Sequence, residues 1–179
     1  MHVPEATGIV ETFEVAALLV AVLGAAWDLR TRRVPNILTF GAAVVALTVH
    51  LLAGGWWGLL WAAGGWMTGL AVFLPLFLLG GLGAGDVKLL AALGAWLGPA
   101  GALWTALYGA IAGGLMAVLI ALWQGYLRTA LRNLRMLLSY WSVMGVRPLP
   151  ELTLKTGAGP RLPYAMAIGA GVLLAVWLH

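Results

Sequence analysis

Two acidic side chains carry the chemical interest of this sequence, Asp28 and Asp86. Asp28 closes an apolar run, just before Arg30, Arg32 and Arg33. Asp86 follows Gly80-Gly81-Leu82-Gly83-Ala84-Gly85 and precedes another apolar run. Ionisable groups at membrane depth are costly and usually functional. Two carboxylates brought together cannot both ionise cheaply, so a close pair holds one proton near neutral pH or below. The ionised member can take a proton from water, and the protonated member can donate to a carbonyl under attack. That is aspartic-peptidase chemistry, with no covalent intermediate and no metal. The glycine run allows close backbone approach, and an extended substrate strand could lie against it. Lys88, one turn or less from Asp86, could tune its charge. Plainer readings stand beside these. Asp28 with its arginines could be a flank that stops translocation, and Asp86 could cap the helix that follows it. Pro35-Asn36 could simply start a helix, and Pro75 could only kink one.

The elements that must position these residues lie in a membrane. The chain is 63% hydrophobic and 9% charged, against about 25% charged for a soluble domain. So few charges cannot cover a water-exposed globule. Cysteine is absent and there are three histidines, which leaves almost no material for a Cys/His metal site. Residues 1–14 contain Glu5, Glu11 and Glu14 and no Lys or Arg. The first apolar stretch therefore reads as a permanent span, not as a cleaved signal.

A spanning helix needs roughly 20 apolar residues. Six segments qualify or nearly so: 13–29, 36–53, 57–80, 87–98, 100–124 and 161–178. The fourth covers only about 18 Å, so either residue 86 or the turn at 98–101 sits below a membrane surface. With six alternating spans and the N-terminus outside, all ten Lys and Arg residues fall on one side. The formal charge of +4 thus reads as the positive-inside signature of a cytoplasmic face, and no nucleic-acid partner is expected. Trp56, Trp57, Trp96, Trp104 and Trp177 lie near outer ends, and Trp27, Trp123 and Trp141 near inner ones, as an aromatic belt would. From Tyr126 to Trp141, Leu127, Leu131, Leu134 and Leu138 recur at helical spacing beside Arg128, Arg132 and Arg135. This predicts an amphipathic helix on the anionic inner leaflet. Prolines 148, 150 and 160 mark a cytoplasmic loop over the rest of 125–160. The expected fold is an all-α polytopic bundle of about six spans with one interfacial helix, forming a single domain over 1–179.

At the two acids the sequence resembles a known family. Asp28-Leu29-Arg30-Thr31-Arg32-Arg33-Val34-Pro35-Asn36 is similar to the D-x-R-x-x-x-[IV]-P-N motif of type IV prepilin peptidases. Gly83-Ala84-Gly85-Asp86-Val87-Lys88 resembles their G-x-G-D-[VI]-K motif, which also places that family among the GxGD proteases. A lone GxGD is weak in a chain with 25 glycines; two motifs on matching faces are strong. Pro163-Tyr164-Ala165-Met166-Ala167-Ile168 is similar to the family's P-Y-G-x-A-[IL] segment, with Ala165 where glycine is usual. The resemblance implies that Asp28 and Asp86 are the catalytic pair. Arg30, Pro35, Asn36, Gly83, Gly85, Lys88, Pro163 and Tyr164 would bind substrate or support the site.

It further implies removal of a short basic leader from type IV or Flp prepilins, or from pseudopilins, at the cytoplasmic face of a bacterial inner membrane. Both chain ends would lie outside. Larger relatives also methylate the new N-terminus, using an extra domain with zinc-binding cysteines. Without cysteine or room for that domain, this chain resembles the short, peptidase-only subgroup of tight-adherence pili. No cofactor and no S-adenosylmethionine binding are expected. Enzyme and leader are both basic, so anionic lipid is the expected meeting surface. Two other classes compete: a small transporter or channel, which also uses broken helices and membrane acids, and a catalytically idle pilus-assembly subunit.

Overall fold

The structure, a computed structural model, describes residues 4–147 and 163–179. Those residues form five helices and no strand: α1 (Pro4–Thr31), α2 (Asn36–Leu78), α3 (Ala84–Trp123), α4 (Leu127–Met144) and α5 (Tyr164–Leu178). Val10–Thr31, Asn36–Leu78 and Ala84–Trp123 are each long and apolar enough to cross a membrane. The expected proline- and glycine-rich loop from 148 onward falls largely outside the described residues.

At 43 and 40 residues, α2 and α3 would each be about 60 Å long or more if straight, twice a bilayer's hydrocarbon core. Neither is straight. Each contains one residue with non-helical dihedrals, Gly55 (φ 60°, ψ −147°) in α2 and Gly98 (φ 72°, ψ −177°) in α3. These conformations suit a residue without Cβ. Beyond them the chain doubles back. A Cβ on Gly94 would meet the Cβ of Ala102 at 3.1 Å, whereas eight residues of straight helix span about 12 Å. Gly58 likewise lies against the His50 carbonyl. The reversals fall where the sequence separates 36–53 from 57–80 and 87–98 from 100–124. Pro75 keeps helical dihedrals within α2, while Pro99 sits directly at the α3 reversal.

The first half of α3 is the centre of the molecule. Every residue from Leu89 to Trp96 is buried, enclosed by α2, α5 and α1. Alanine and glycine at 91, 92, 94 and 95 let neighbouring helices come close. Gly65 and Gly69 of α2 rest directly on the backbones of Gly94 and of Leu90–Ala91. Between helices in lipid, such small-residue contact supplies the van der Waals packing that hydrophobicity cannot. The outer surface is apolar, with Ile37, Leu52, Trp57, Trp123 and Trp177 all well exposed. By contrast α4 buries no residue, and among the described helices it packs mainly against α3. Leu131, Leu134 and Leu138 of α4 are exposed.

Two expectations are corrected. Asp86 does not precede its helix. Gly83 is the N-cap and Asp86 lies in the first turn, because the Asp86 side chain satisfies the Gly83 N–H from that position. Trp96 is not a belt residue. It is 6% exposed and packs with Phe13 and His50 inside the bundle.

Candidate active site

The two motifs meet because of how α1, α2 and α3 begin and end. After Asp28 the chain leaves α1 by a tight turn. The Arg32 N–H donates to the Asp28 carbonyl at 2.8 Å. The Thr31 hydroxyl lies 3.0 Å from both the Trp27 and Arg33 carbonyls. Arg32 takes a left-handed φ of 54°, the only positive φ outside glycine among the described residues. Pro35 then caps α2 in an extended conformation, and its carbonyl accepts from the Leu38 and Thr39 amides. On the other side, Gly80 at φ 80° ends α2, and Gly83 starts α3.

Gly85 explains the contact between the two segments. A Cβ there would come within 3.3 Å of the Val34 Cβ and 3.4 Å of the Val34 nitrogen, so glycine lets the first turn of α3 lie on the α1–α2 link. Gly83 faces the carboxylate directly, and a Cβ there would sit 3.0 Å from Asp86 Oδ2. Lys88 ties the same segments from the side. Its Nζ donates to Asn36 Oδ1 at 2.9 Å and lies 5.4 Å from the Phe40 ring centroid.

Both acids sit at helix N-termini, where free N–H groups welcome a carboxylate. The Gly83 N–H donates to Asp86 Oδ2 at 3.1 Å. Asp28 accepts from the backbone N–H of Ala165, in the first turn of α5. Asp86 lies within the electrostatic reach of Asp28, Asp28 within that of Arg32, and Tyr164 within that of Asp86. Two acids 58 positions apart in sequence are therefore neighbours, and α5 closes the group from a third side.

A cavity of about 650 Å³ opens here, lined by Pro35, Asn36, Gly83, Gly85, Asp86 and Lys88 together with Arg32, Arg33 and others. Six of the predicted site residues thus share one hollow. Asp28 is only 8% exposed and is enclosed beside it, not part of its lining. Arg30 is exposed and faces a separate hollow with Trp27. Pro163 caps α5, and Tyr164 packs edge-on against Phe73. Two contributors escaped the sequence reading, Arg32 and the Ala165 amide. Alanine in place of the usual glycine leaves that contact intact, because the group used is a backbone N–H. Among the described residues no three His, Cys, Asp or Glu side chains come together as a metal site would require.

A bundle of long apolar helices with an apolar exterior, and two neighbouring acids beside a hollow at one end, defines an integral membrane protein. A model of the type IV leader peptidase family matches residues 15–118, more than half of the chain, and the chain belongs to that family. It is therefore a peptidase of the prepilin-processing kind. The matched residues contain both acidic motifs and stop short of α4 and α5. No curated protein and no solved structure matches the chain.

Proposed function

We propose that this protein is a membrane-embedded aspartic endopeptidase, with Asp28 and Asp86 as its catalytic pair, that removes the basic leader from type IV or Flp prepilins or from pseudopilins without methylating the product. The observation that carries this reading is the placement of Asp86 in the wall of a 650 Å³ cavity whose lining also holds Trp27 and Thr31, on either side of the enclosed Asp28. Two acids that interact share a proton more easily than they both ionise. One activates a water, and the other protonates the scissile carbonyl oxygen and then the leaving amine. Around them the link 32–36 and the turn 83–86 form a wall against which a locally unwound substrate can lie.

In this reading the reversals at Gly55 and Gly98 make α2 and α3 into two spans each. With α1 and α5 the bundle then crosses the inner membrane six times. The cavity, carrying Arg32, Arg33 and Lys88, faces the cytoplasm. The helix α4, with its exposed leucines and arginines, rests on the anionic leaflet and gathers basic leaders by way of lipid. Reconstitution in liposomes with a precursor carrying a basic leader ahead of an apolar helix tests the proposal. Mass spectrometry of the product should find a new, unmethylated N-terminus at the cytoplasmic edge of that helix. Precursors of the pilin and pseudopilin classes that all stay intact would refute it.

A further inference from the structure

Two smaller hollows share wall residues with the acidic cavity. The first, of about 350 Å³, lies against the end of α1 and shares Trp27 and Thr31 with the cavity. The second, of about 200 Å³, is lined by Thr39 and Phe40 from the first half of α2, Trp66 and Leu70 from its second half, and Lys88 and Ala91 of α3. Lys88 belongs to the cavity as well. The second hollow is apolar in effect. The Thr39 hydroxyl donates to the Asn36 carbonyl at 3.3 Å, and the Lys88 ammonium donates to Asn36 Oδ1 at 2.9 Å. The one hydroxyl and the one charge in its wall are thus already engaged. It also reaches deeper into the bundle than the cavity does. Phe40 follows Asn36, and Ala91 follows Lys88, by about one helical turn, or about 5 Å. A small-molecule site has about 300–1,000 Å³; this smaller recess suits a single large side chain.

We propose that this hollow is the docking site of the precursor's apolar helix, which seats one large apolar side chain between Phe40, Trp66 and Leu70 and so holds the bond ahead of it at the acidic cavity. The inference deepens the aspartic-peptidase reading above and rests on it. A chain cut at the edge of an apolar helix has two unlike parts, a basic leader and an apolar segment that continues into the bilayer. The hollow is continuous with the cavity through Lys88 and lies one turn deeper, where the apolar segment must run. The surface beside it also fits a helix. Ile37, Phe40, Gly41 and Val44 share one exposed face of α2, at the spacing of an apolar stripe. A Cβ on Gly41 would meet nothing within 4 Å, and in lipid a small uncovered residue lets another helix pack closely. The hollow at α1 fits an apolar segment less well. Its wall residues Leu23, Ala26, Trp27, Arg30 and Thr31 all come from one helix, and the exposed Arg30 among them suits an anionic lipid headgroup.

The test uses the absence of cysteine from the chain. Phe40→Cys places one thiol on the α2 side and Leu23→Cys one on the α1 side, at positions about equally exposed, 48% and 51%. Both are made in an Asp86→Asn background, so that the precursor stays whole. Each is oxidised in liposomes with precursors that carry one cysteine, placed in turn at every position of the first two turns of the apolar helix. A disulfide needs Cα atoms within about 7 Å, so Phe40→Cys should join the precursor several-fold more than Leu23→Cys does. In the otherwise wild-type enzyme, Leu70→Trp fills the α2 hollow and should raise KM about tenfold with kcat within about twofold, while Leu23→Trp should change neither, with rates taken per folded molecule. Equal cross-linking at the two positions, or more at Leu23→Cys, would overturn the inference, and so would a folded Leu70→Trp variant with the wild-type KM. If Leu70→Trp does not fold, the cross-links decide alone. However they fall, a wild type that cleaves leaves the peptidase reading standing. A wild type that cuts no precursor strikes that reading itself.

Discussion

The two ends of this bundle are built on opposite terms. At the end that holds Asp28 and Asp86, polar groups surround a hollow of about 650 Å³. At the other end α2 and α3 reverse at Gly55 and Gly98, and Phe13, His50, Trp61 and Trp96 fill the space between them. The Phe13 and His50 ring centroids are 4.1 Å apart, and those of His50 and Trp61 are 5.1 Å apart. Even the buried histidine serves packing. The break at Gly98 and the missing N–H of Pro99 leave the last carbonyls of the first half of α3 without their usual donors. His50 Nε2 donates to one of them, the Trp96 carbonyl, at 3.3 Å. Under the proposed function, the difference teaches that costly groups are tolerated where chemistry needs them, while the far end supplies the rigidity that keeps them in register. Substitutions at the acidic end should therefore cost activity with little loss of stability, and substitutions at the aromatic end the reverse.

The largest effect is expected at the acids. Asp28→Asn and Asp86→Asn should each lower precursor cleavage by about a hundred- to ten-thousandfold, with normal amounts of protein in the membrane. Asparagine oxygen still accepts from the Ala165 or Gly83 N–H, so the fold keeps both caps. An unfolded variant at either position would break the comparison. Next comes Gly98→Ala at the opposite end. It forces a residue with a Cβ into dihedrals open essentially to glycine alone, at about 1–3 kcal/mol, and its Cβ would occupy the place of the Trp61 ring, adding about 1–3 kcal/mol of overpacking. Thermal melting in detergent should show the loss, and the fraction still folded should cleave at the wild-type rate. His50→Phe is milder. The ring stack survives, but the Trp96 carbonyl loses its donor, at a cost of about 1–3 kcal/mol, again with kcat unchanged.

Much of the acidic end was legible in the sequence. The motif residues around Asp28 and Asp86 are local and chemically unusual in an apolar chain, and the glycines at 55 and 98 punctuate the hydropathy where the helices reverse. The family match over 15–118 bears out the resemblance drawn from those motifs. What stayed hidden depends on contacts distant in sequence. Nothing in the composition near Ala165 reveals that its amide meets Asp28, 137 positions earlier. Hydropathy cannot tell a tryptophan that faces lipid from one in the core, so Trp96 resembled Trp57 until the packing distinguished them. The role of Gly85 was legible only as a capacity for close approach; that the approaching group is Val34 of the protein itself requires the fold.

The smallest predicted effect bears most sharply on how the acidic end is held. Lys88 joins the start of α3 to the start of α2 through Asn36 and holds its ammonium over the Phe40 ring. A charge-assisted bond of this kind is worth about 1.5–3 kcal/mol when fully enclosed, but Lys88 is only half-buried and the solvent-screened value is smaller. Lys88→Met keeps the stem and deletes the ammonium. Cleavage should fall by about three- to tenfold, the factor expected for a loss near 1 kcal/mol in alignment of the two motif segments. Asn36→Ala should cost a similar amount, and the double variant should be no worse than either single one, because both remove the same bond. If the two losses instead multiply, Lys88 and Asn36 act separately on the substrate. The link between the acidic segments would then rest on packing such as the Gly85–Val34 contact.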